Sequence, residues 1–207
     1  MGRKQQREDG DLAAPPLWGL VLAGGGSTRM GEDKGRLEFH GLPQAVWVHR
    51  QLDEICEQTY VSVSAEQHGS EPYAGLPTIT DQDSDGGPAV GLLSAWRRFP
   101  DVAWLAVAVD MPFVDQKTLR TLLDGRQADG LATAFQHADG TLEPLCTVWE
   151  PAAGPVLRER VAGGDGSLRR LLVAAGVRGL ETPVGGALVS VNSPAQVGRA
   201  RRELQRG

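Results

Sequence analysis

Cysteine is scarce: Cys56 and Cys146 are the two in 207 residues. That leaves neither a disulfide framework nor the paired spacing a zinc site uses, and both are expected as reduced, partly buried thiols of a cytoplasmic chain. No apolar run approaches the roughly 20 residues that cross a membrane as a helix. The opening MGRKQQREDGDLAAPP is charged and has no apolar segment behind it, so it does not read as a secretory signal. Residues 1–16 are expected as a mobile polar tail, ahead of a single domain over 17–207. Positive charge is in deficit, with 21 Lys and Arg against 26 Asp and Glu, a formal net charge of −5, so bulk charge does not favour a nucleic-acid surface. There is no internal repeat, and no low-complexity segment beyond the tail. A Gly-Lys-Ser/Thr phosphate loop and a G-x-G-x-x-G strand-to-helix step are both missing. No His or Cys constellation stands out as a catalyst.

Glycine and proline are plentiful instead, 27 and 13, in a chain that is 41% hydrophobic. This implies many tight connections between short elements. Strands are predicted over residues 17–23, 59–64, 76–80, 102–109, 131–135 and 142–149, with shorter ones at 180–182 and 188–191. Residues 36–39 read as extended, and 41–43 as a turn. Helices are predicted over 44–56, from Pro88 to 98, after Asp115 to 123, over 151–161 and 168–175, and from Ser193-Pro194 onward. The turn at 138–140 makes the flanking strands a hairpin candidate. Strands alternating with helices indicate an α/β fold, a three-layer α/β/α sandwich with a mainly parallel, Rossmann-like sheet.

In such sheets ligands sit beyond the carboxyl ends of the strands. Two features fall there. Residues 22–34, LAGGGSTRMGEDK, follow the first strand. Glycines let the backbone approach an anion closely, and Arg29 and Lys34 add positive charge. Asp110 follows the most apolar strand; one carboxylate there suits Mg²⁺, which also takes water and phosphate oxygens. A solvated turn aspartate is the competing reading. A phosphate nucleophile is already ionised near neutrality, so nucleotidyl transfer needs positioning and charge neutralisation more than a general base.

The string at 22–34 resembles the signature L-A-G-G-x-S-x-R-M-G-x-D-K of the MobA-like nucleotidyltransferases, the molybdenum cofactor guanylyltransferase family. Every defined position is present. Asp110-Met111-Pro112-Phe113 resembles that family's second motif, and Gly87, Pro88 and Gly91 its Gly-Pro-x-x-Gly. The resemblance implies a nucleotide-diphospho-sugar transferase type of fold. It implies transfer of GMP from GTP to molybdopterin-bound molybdenum, giving the guanine dinucleotide cofactor and pyrophosphate. Arg29 and Lys34 are then the catalytic cations. Leu22, Ala23, Gly24, Gly25, Gly26, Lys34, Asp81 and Asp110 bind the nucleotide, with Asp83 and Asp85 as competitors for Asp81. Val191-Asn192-Ser193-Pro194 resembles the family's Asn-Val-Asn-Thr-Pro, which implies Asn192, with Asp110, as a metal residue or a phosphate contact, a turn residue ahead of a capped helix being the competing reading; Ser190 replaces the first asparagine. Glu143, in Glu-Pro-Leu-Cys, and Arg169 are implied on the acceptor side, while Arg169 and Arg170 also read as a solvated helix face. Mg²⁺ is the expected cofactor, with Mn²⁺ as its alternative. The expected partners are small-molecule substrates and a cofactor-delivery or molybdoenzyme protein, with no nucleic acid and no membrane. A CTP-using or other-acceptor relative, and a nucleotide-binding module without catalysis, are the rival readings.

Overall fold

A computed structural model of the chain describes residues 14–24, 33–81 and 87–206. Gly25, Gly26, Arg29, Asp83 and Asp85 lie outside them, as do residues 1–13. Six strands form one sheet: β1 (Leu17–Leu22), β2 (Thr59–Val63), β3 (Thr78–Thr80), β4 (Ala103–Ala108), β5 (Ala132–Gln136) and β6 (Leu142–Trp149), in the order β3-β2-β1-β4-β6-β5. β1 pairs in parallel with both β2 and β4, and β2 with β3. β6 is antiparallel to β4 and to β5, so β6 alone runs against the rest. The mainly parallel sheet and the β5–β6 hairpin expected from the sequence are both present. β4 is buried at every position, as a central strand covered on both faces must be.

The helices are α1 (Gln44–Asp53), α2 (Gly87–Arg98), α3 (Gln116–Asp124), α4 (Ala153–Ala162), α5 (Leu168–Ala174) and α6 (Pro194–Leu204). Three begin at caps that the sequence announces. Asp115 accepts from Thr118 N–H, Ser167 from Arg170 N–H and Ser193 from Gln196 N–H. Gly19 and Leu22, three residues apart on β1, face opposite sides of the sheet. A Cβ on Gly19 would meet Leu52 of α1 at 2.9 Å, whereas a Cβ on Gly91 of α2 would meet Ser62 Oγ at 2.4 Å and Leu22 Cδ2 at 3.2 Å. α1 and α2 therefore cover opposite faces, each seated closely through a glycine. α4 lies beside α2, with Gly154 against Trp96, and Gln116 of α3 donates to Gln51 O at the end of α1. The three layers follow.

The end of the sheet away from the loop at 110 is filled by a tryptophan row. Trp18 pairs with Trp104 and Trp104 with Trp149 across β1, β4 and β6. Nearby, Arg126 forks onto Glu150 at 2.7 and 2.9 Å and also donates to Pro15 O, while Pro16 O accepts from Ala103 N–H. Pro15 and Pro16 are thus held against the sheet, whereas the expected tail ran to residue 16.

Three local expectations are corrected. Residues 180–182 form no strand: Leu180 makes one bridge to Phe135, and Pro183, which has no N–H to donate, follows soon after. Residues 188–191 form no strand either; their backbone turns, with Ala187 N–H on Val184 O and Val189 N–H on Gly186 O. The extended stretch at 36–39 begins as a 3-10 turn, Lys34–Arg36, which Asp33 caps through Gly35 N–H. Both cysteines are free, Cys146 buried and Cys56 half-buried. Burial, with Asp53 and Glu57 beside it, pushes the Cys56 thiol up to about 12, so it is a poor nucleophile at neutral pH. Among the described residues, no helix is long and apolar enough to cross a membrane.

Candidate functional site

Lys34 stands just inside the 3-10 turn. Its Nζ donates to Asp110 Oδ2 at 3.0 Å and to Asn192 Oδ1 at 2.5 Å. These partners are 76 and 158 positions away in the chain. The topology explains the meeting. β1 and β4 are parallel neighbours, so residues following each emerge at the same edge. Val191 N–H donates to Asp110 O at 2.8 Å, which ties the segment before α6 to the loop after β4 and sets Asn192 beside Asp110.

The support around this trio was not legible in the sequence. Asp33 does not point outward. It accepts from Tyr73 OH at 2.8 and 2.9 Å, from Gln67 Nε2 at 3.1 Å and from Gly35 N–H at 2.9 Å. Tyr73 is buried, and burial beside the Asp33 charge raises its phenol well above the ordinary range, so it stays a donor. Gln67 Nε2 also reaches Ala23 O at 3.2 Å. One side chain thereby fixes the distance between the residue ending β1 and the residue before Lys34. His40 stacks on Trp47, ring centroids 4.1 Å apart, and its Nε2 donates to Pro112 O at 2.8 Å. A carbonyl can only accept, so this bond sets the His40 tautomer.

Asp81 follows β3. Its Oδ1 accepts from Ser62 Oγ at 2.7 Å, and a Cβ on Gly24 would sit 2.2 Å from its Oδ2. Gly24 is thus the residue type that lets Asp81 stand against the end of β1. Burial pushes the Asp81 carboxyl up to about 6, against the pull of the Ser62 bond. The N–H groups of Ala23 and Gly24 both donate to Ser62 O, and Leu22 O accepts from Val109 N–H. These three residues build the sheet edge. Gly25, Gly26 and Arg29, the other residues expected to face an anion, lie outside the described residues.

Glu143 is buried, with both carboxylate oxygens engaged: Oε1 accepts from Leu145 N–H at 2.7 Å and Oε2 lies 2.9 Å from His137 Nε2. Arg169 Nε donates to Leu142 O at 3.2 Å, which puts it at the same end of β6. Arg170 is held instead by Asp165, which also receives Arg160. The Arg170 bond comes first among the causes that lower the Asp165 carboxyl to about 2.

A hard cation fits the trio. Asp110 Oδ1 is buried and has no hydrogen-bond partner, while Asp110 Oδ2 and Asn192 Oδ1 converge on one ammonium nitrogen. Among the described residues no group of three or more His, Cys, Asp or Glu could form an all-protein cage. A carboxylate and an amide oxygen are donor types that Mg²⁺ takes, beside phosphate and water oxygens.

Residues 19–178 match the family described as the MobA-like NTP transferase domain. The chain is 34% identical over 172 residues to a molybdenum cofactor guanylyltransferase of Pseudomonas putida, covering 82% of this chain and 88% of that one. It is 35% identical over 144 residues to a molybdenum cofactor biosynthesis bifunctional protein of Synechocystis, covering 69% of this chain but 42% of that longer protein. The fold is similar to that of molybdopterin-guanine dinucleotide biosynthesis protein A from Archaeoglobus fulgidus, with a TM-score of 0.73 at 21% identity, covering 92% of this chain and 100% of that one. The chain belongs to the MobA-like NTP transferase domain family.

Proposed function

We propose that this protein is a molybdenum cofactor guanylyltransferase: it transfers GMP from GTP to the phosphate of molybdopterin-bound molybdenum and releases pyrophosphate. The observation that carries the reading is the Lys34–Asp110–Asn192 cluster at the carboxyl edge of the sheet, where a cation and two oxygen donors from three distant segments meet. The P. putida relative bears the name of this activity.

In the transfer, an acceptor phosphate oxygen attacks the α-phosphorus, the bond to the α–β bridging oxygen breaks, and pyrophosphate leaves with the electron pair. Lys34 neutralises charge at the α-phosphate, and Arg29, with the amides of Gly25 and Gly26, holds the leaving phosphates. Leu22, Ala23 and Gly24 border the nucleotide, and Asp81 accepts donor groups of the nucleoside. Asp110 and Asn192 would hold Mg²⁺, which supplies charge neutralisation to the phosphates when bound. Glu143 and Arg169 belong to the acceptor side, over β6. A protein that receives the finished cofactor is consistent with a labile product.

The test is pyrophosphate release with molybdopterin-bound molybdenum and Mg²⁺, each nucleoside triphosphate being supplied in turn. GTP is expected to support turnover, and CTP to fall at least about tenfold short in kcat/KM. Equal use of CTP would overturn the guanine assignment. GTP binding without pyrophosphate release would favour a non-catalytic module.

A further inference from the structure

The β5–β6 hairpin carries a histidine that the reading so far does not use. β6 runs antiparallel to β4, so Glu143 at the start of β6 lies at the edge of the sheet where β4 ends and Asp110 follows. His137, just past β5, therefore stands on the same edge of the sheet as Asp110, two strands over, a lateral step of roughly 10 Å. The nucleotide residues Gly24 and Asp81 lie the other way, on β1 and β3. The side of Asp110 away from those residues is the side of β6 and β5, where His137 stands.

Glu143 fixes how that histidine is presented. A carboxylate oxygen can only accept, so His137 Nε2 carries the proton of the 2.9 Å bond, which leaves Nδ1 as the ring's outward nitrogen. Glu143 is clamped in turn by Leu145 N–H. The His137 side chain is 32% exposed, and among the described residues Nδ1 is neither buried nor hydrogen-bonded. The backbone is set as well: His137 N–H donates to Thr141 O at 2.8 Å and His137 O accepts from Gly140 N–H at 2.9 Å. The result is a ring nitrogen of fixed direction at that end of the edge.

We infer that His137 Nδ1 is a specificity contact for the distal, non-reacting part of the acceptor, accepting a hydrogen bond from an amino or lactam N–H of a heterocycle. Glu143 is the positioning residue that holds its tautomer, and does not itself meet the substrate. The inference deepens the function proposed above and rests on it for the identity of the heterocycle, the pterin. A contact remote from the reacting phosphorus holds ground state and transition state alike, so it sets KM and leaves kcat alone.

Two substitutions separate this role from a structural one. His137→Lys keeps a donor for Glu143 but presents no acceptor. His137→Gln keeps the donor and turns its amide oxygen outward. With GTP, Mg²⁺ and molybdopterin-bound molybdenum, H137K is expected to raise the acceptor KM about tenfold, the loss of one hydrogen bond, with kcat and the GTP KM within about twofold of wild type. H137Q is expected to restore the acceptor KM to within about threefold. An acceptor KM unmoved in H137K, or H137Q as impaired as H137K, overturns the inference. So does a parallel change in the GTP KM. Titrating molybdopterin and following its pterin fluorescence gives the wild-type to H137K ratio of affinities without turnover. A wild type that binds the pterin with that ratio intact yet releases no pyrophosphate defeats the guanylyltransferase reading and leaves this one standing; equal binding by wild type and H137K defeats this one alone.

Discussion

Asp81 is squeezed between Gly24 and Ser62, and its carboxyl titrates near 6 in the fold against an ordinary 3.8. Below the ordinary value both folded and unfolded chains hold the proton. Between about 4 and 6 the folded chain keeps a proton that the unfolded chain has released, so stability falls as pH rises, and above about 6 the loss is complete. Asp81→Asn removes the titration. The wild-type stability minus that of D81N should decline from pH 4 to 6 and be flat above, as read from thermal melts of both proteins; a flat difference throughout would mean that the burial has no such consequence. GTP affinity should rise through the same window in wild type and not in D81N. The loop after β4 is held from two sides, by Val191 N–H on Asp110 O and by His40 on Pro112 O. His40→Ala frees one side. We expect kcat to fall about tenfold through lost positioning while GTP affinity holds; steady-state kinetics beside a GTP titration checks this, and an unchanged kcat removes His40 from the positioning of Asp110. Lys34, Asp110 and Asn192 were legible because each lies in a motif string. His40, Tyr73 and Gln67 were not, because each acts through a partner far along the chain; for His40 the separation is 72 positions.

At the level of elements, strands and helices were readable where period and caps agree. β6 spans Leu142–Trp149, the strand expected to return after the turn at 138–140, and Asp115, Ser167 and Ser193 cap their helices as their residue types predict. The segments at 180–182 and 188–191 have strand-like composition, but a strand needs a free partner edge. Leu180 makes a single bridge to Phe135 before Pro183, which has no N–H to donate, and Val191 is drawn to Asp110 instead. The antiparallel end of the sheet is braced by the Arg126–Glu150 fork, with Glu150 only 1% exposed. Arg126→Ala leaves that carboxylate buried and unpaired and also frees Pro15 O. Chemical denaturation should show a loss of about 3–5 kcal/mol. A loss below about 1 kcal/mol would mean that the chain around Pro15 and Glu150 relaxes to admit water.

In the proposed function the carboxyl edge of the sheet divides between two tasks. Strands β1 to β3 bring Gly24 and Asp81 together on one side, β6 and β5 present Glu143 and His137 on the other, and the cation–carboxylate meeting at Lys34 and Asp110 lies between them. That order suits a reaction joining two phosphate-bearing substrates end to end. A net charge of −5 makes the local cations at this edge the more telling feature. The most direct measurement is pyrophosphate release from GTP and molybdopterin-bound molybdenum by Asp110→Asn beside wild type, at saturating Mg²⁺. The account predicts robust release by wild type and a loss of about 100-fold or more in D110N, because the central carboxylate is gone and with it the ion pair to Lys34. Release by D110N at close to the wild-type rate would contradict it.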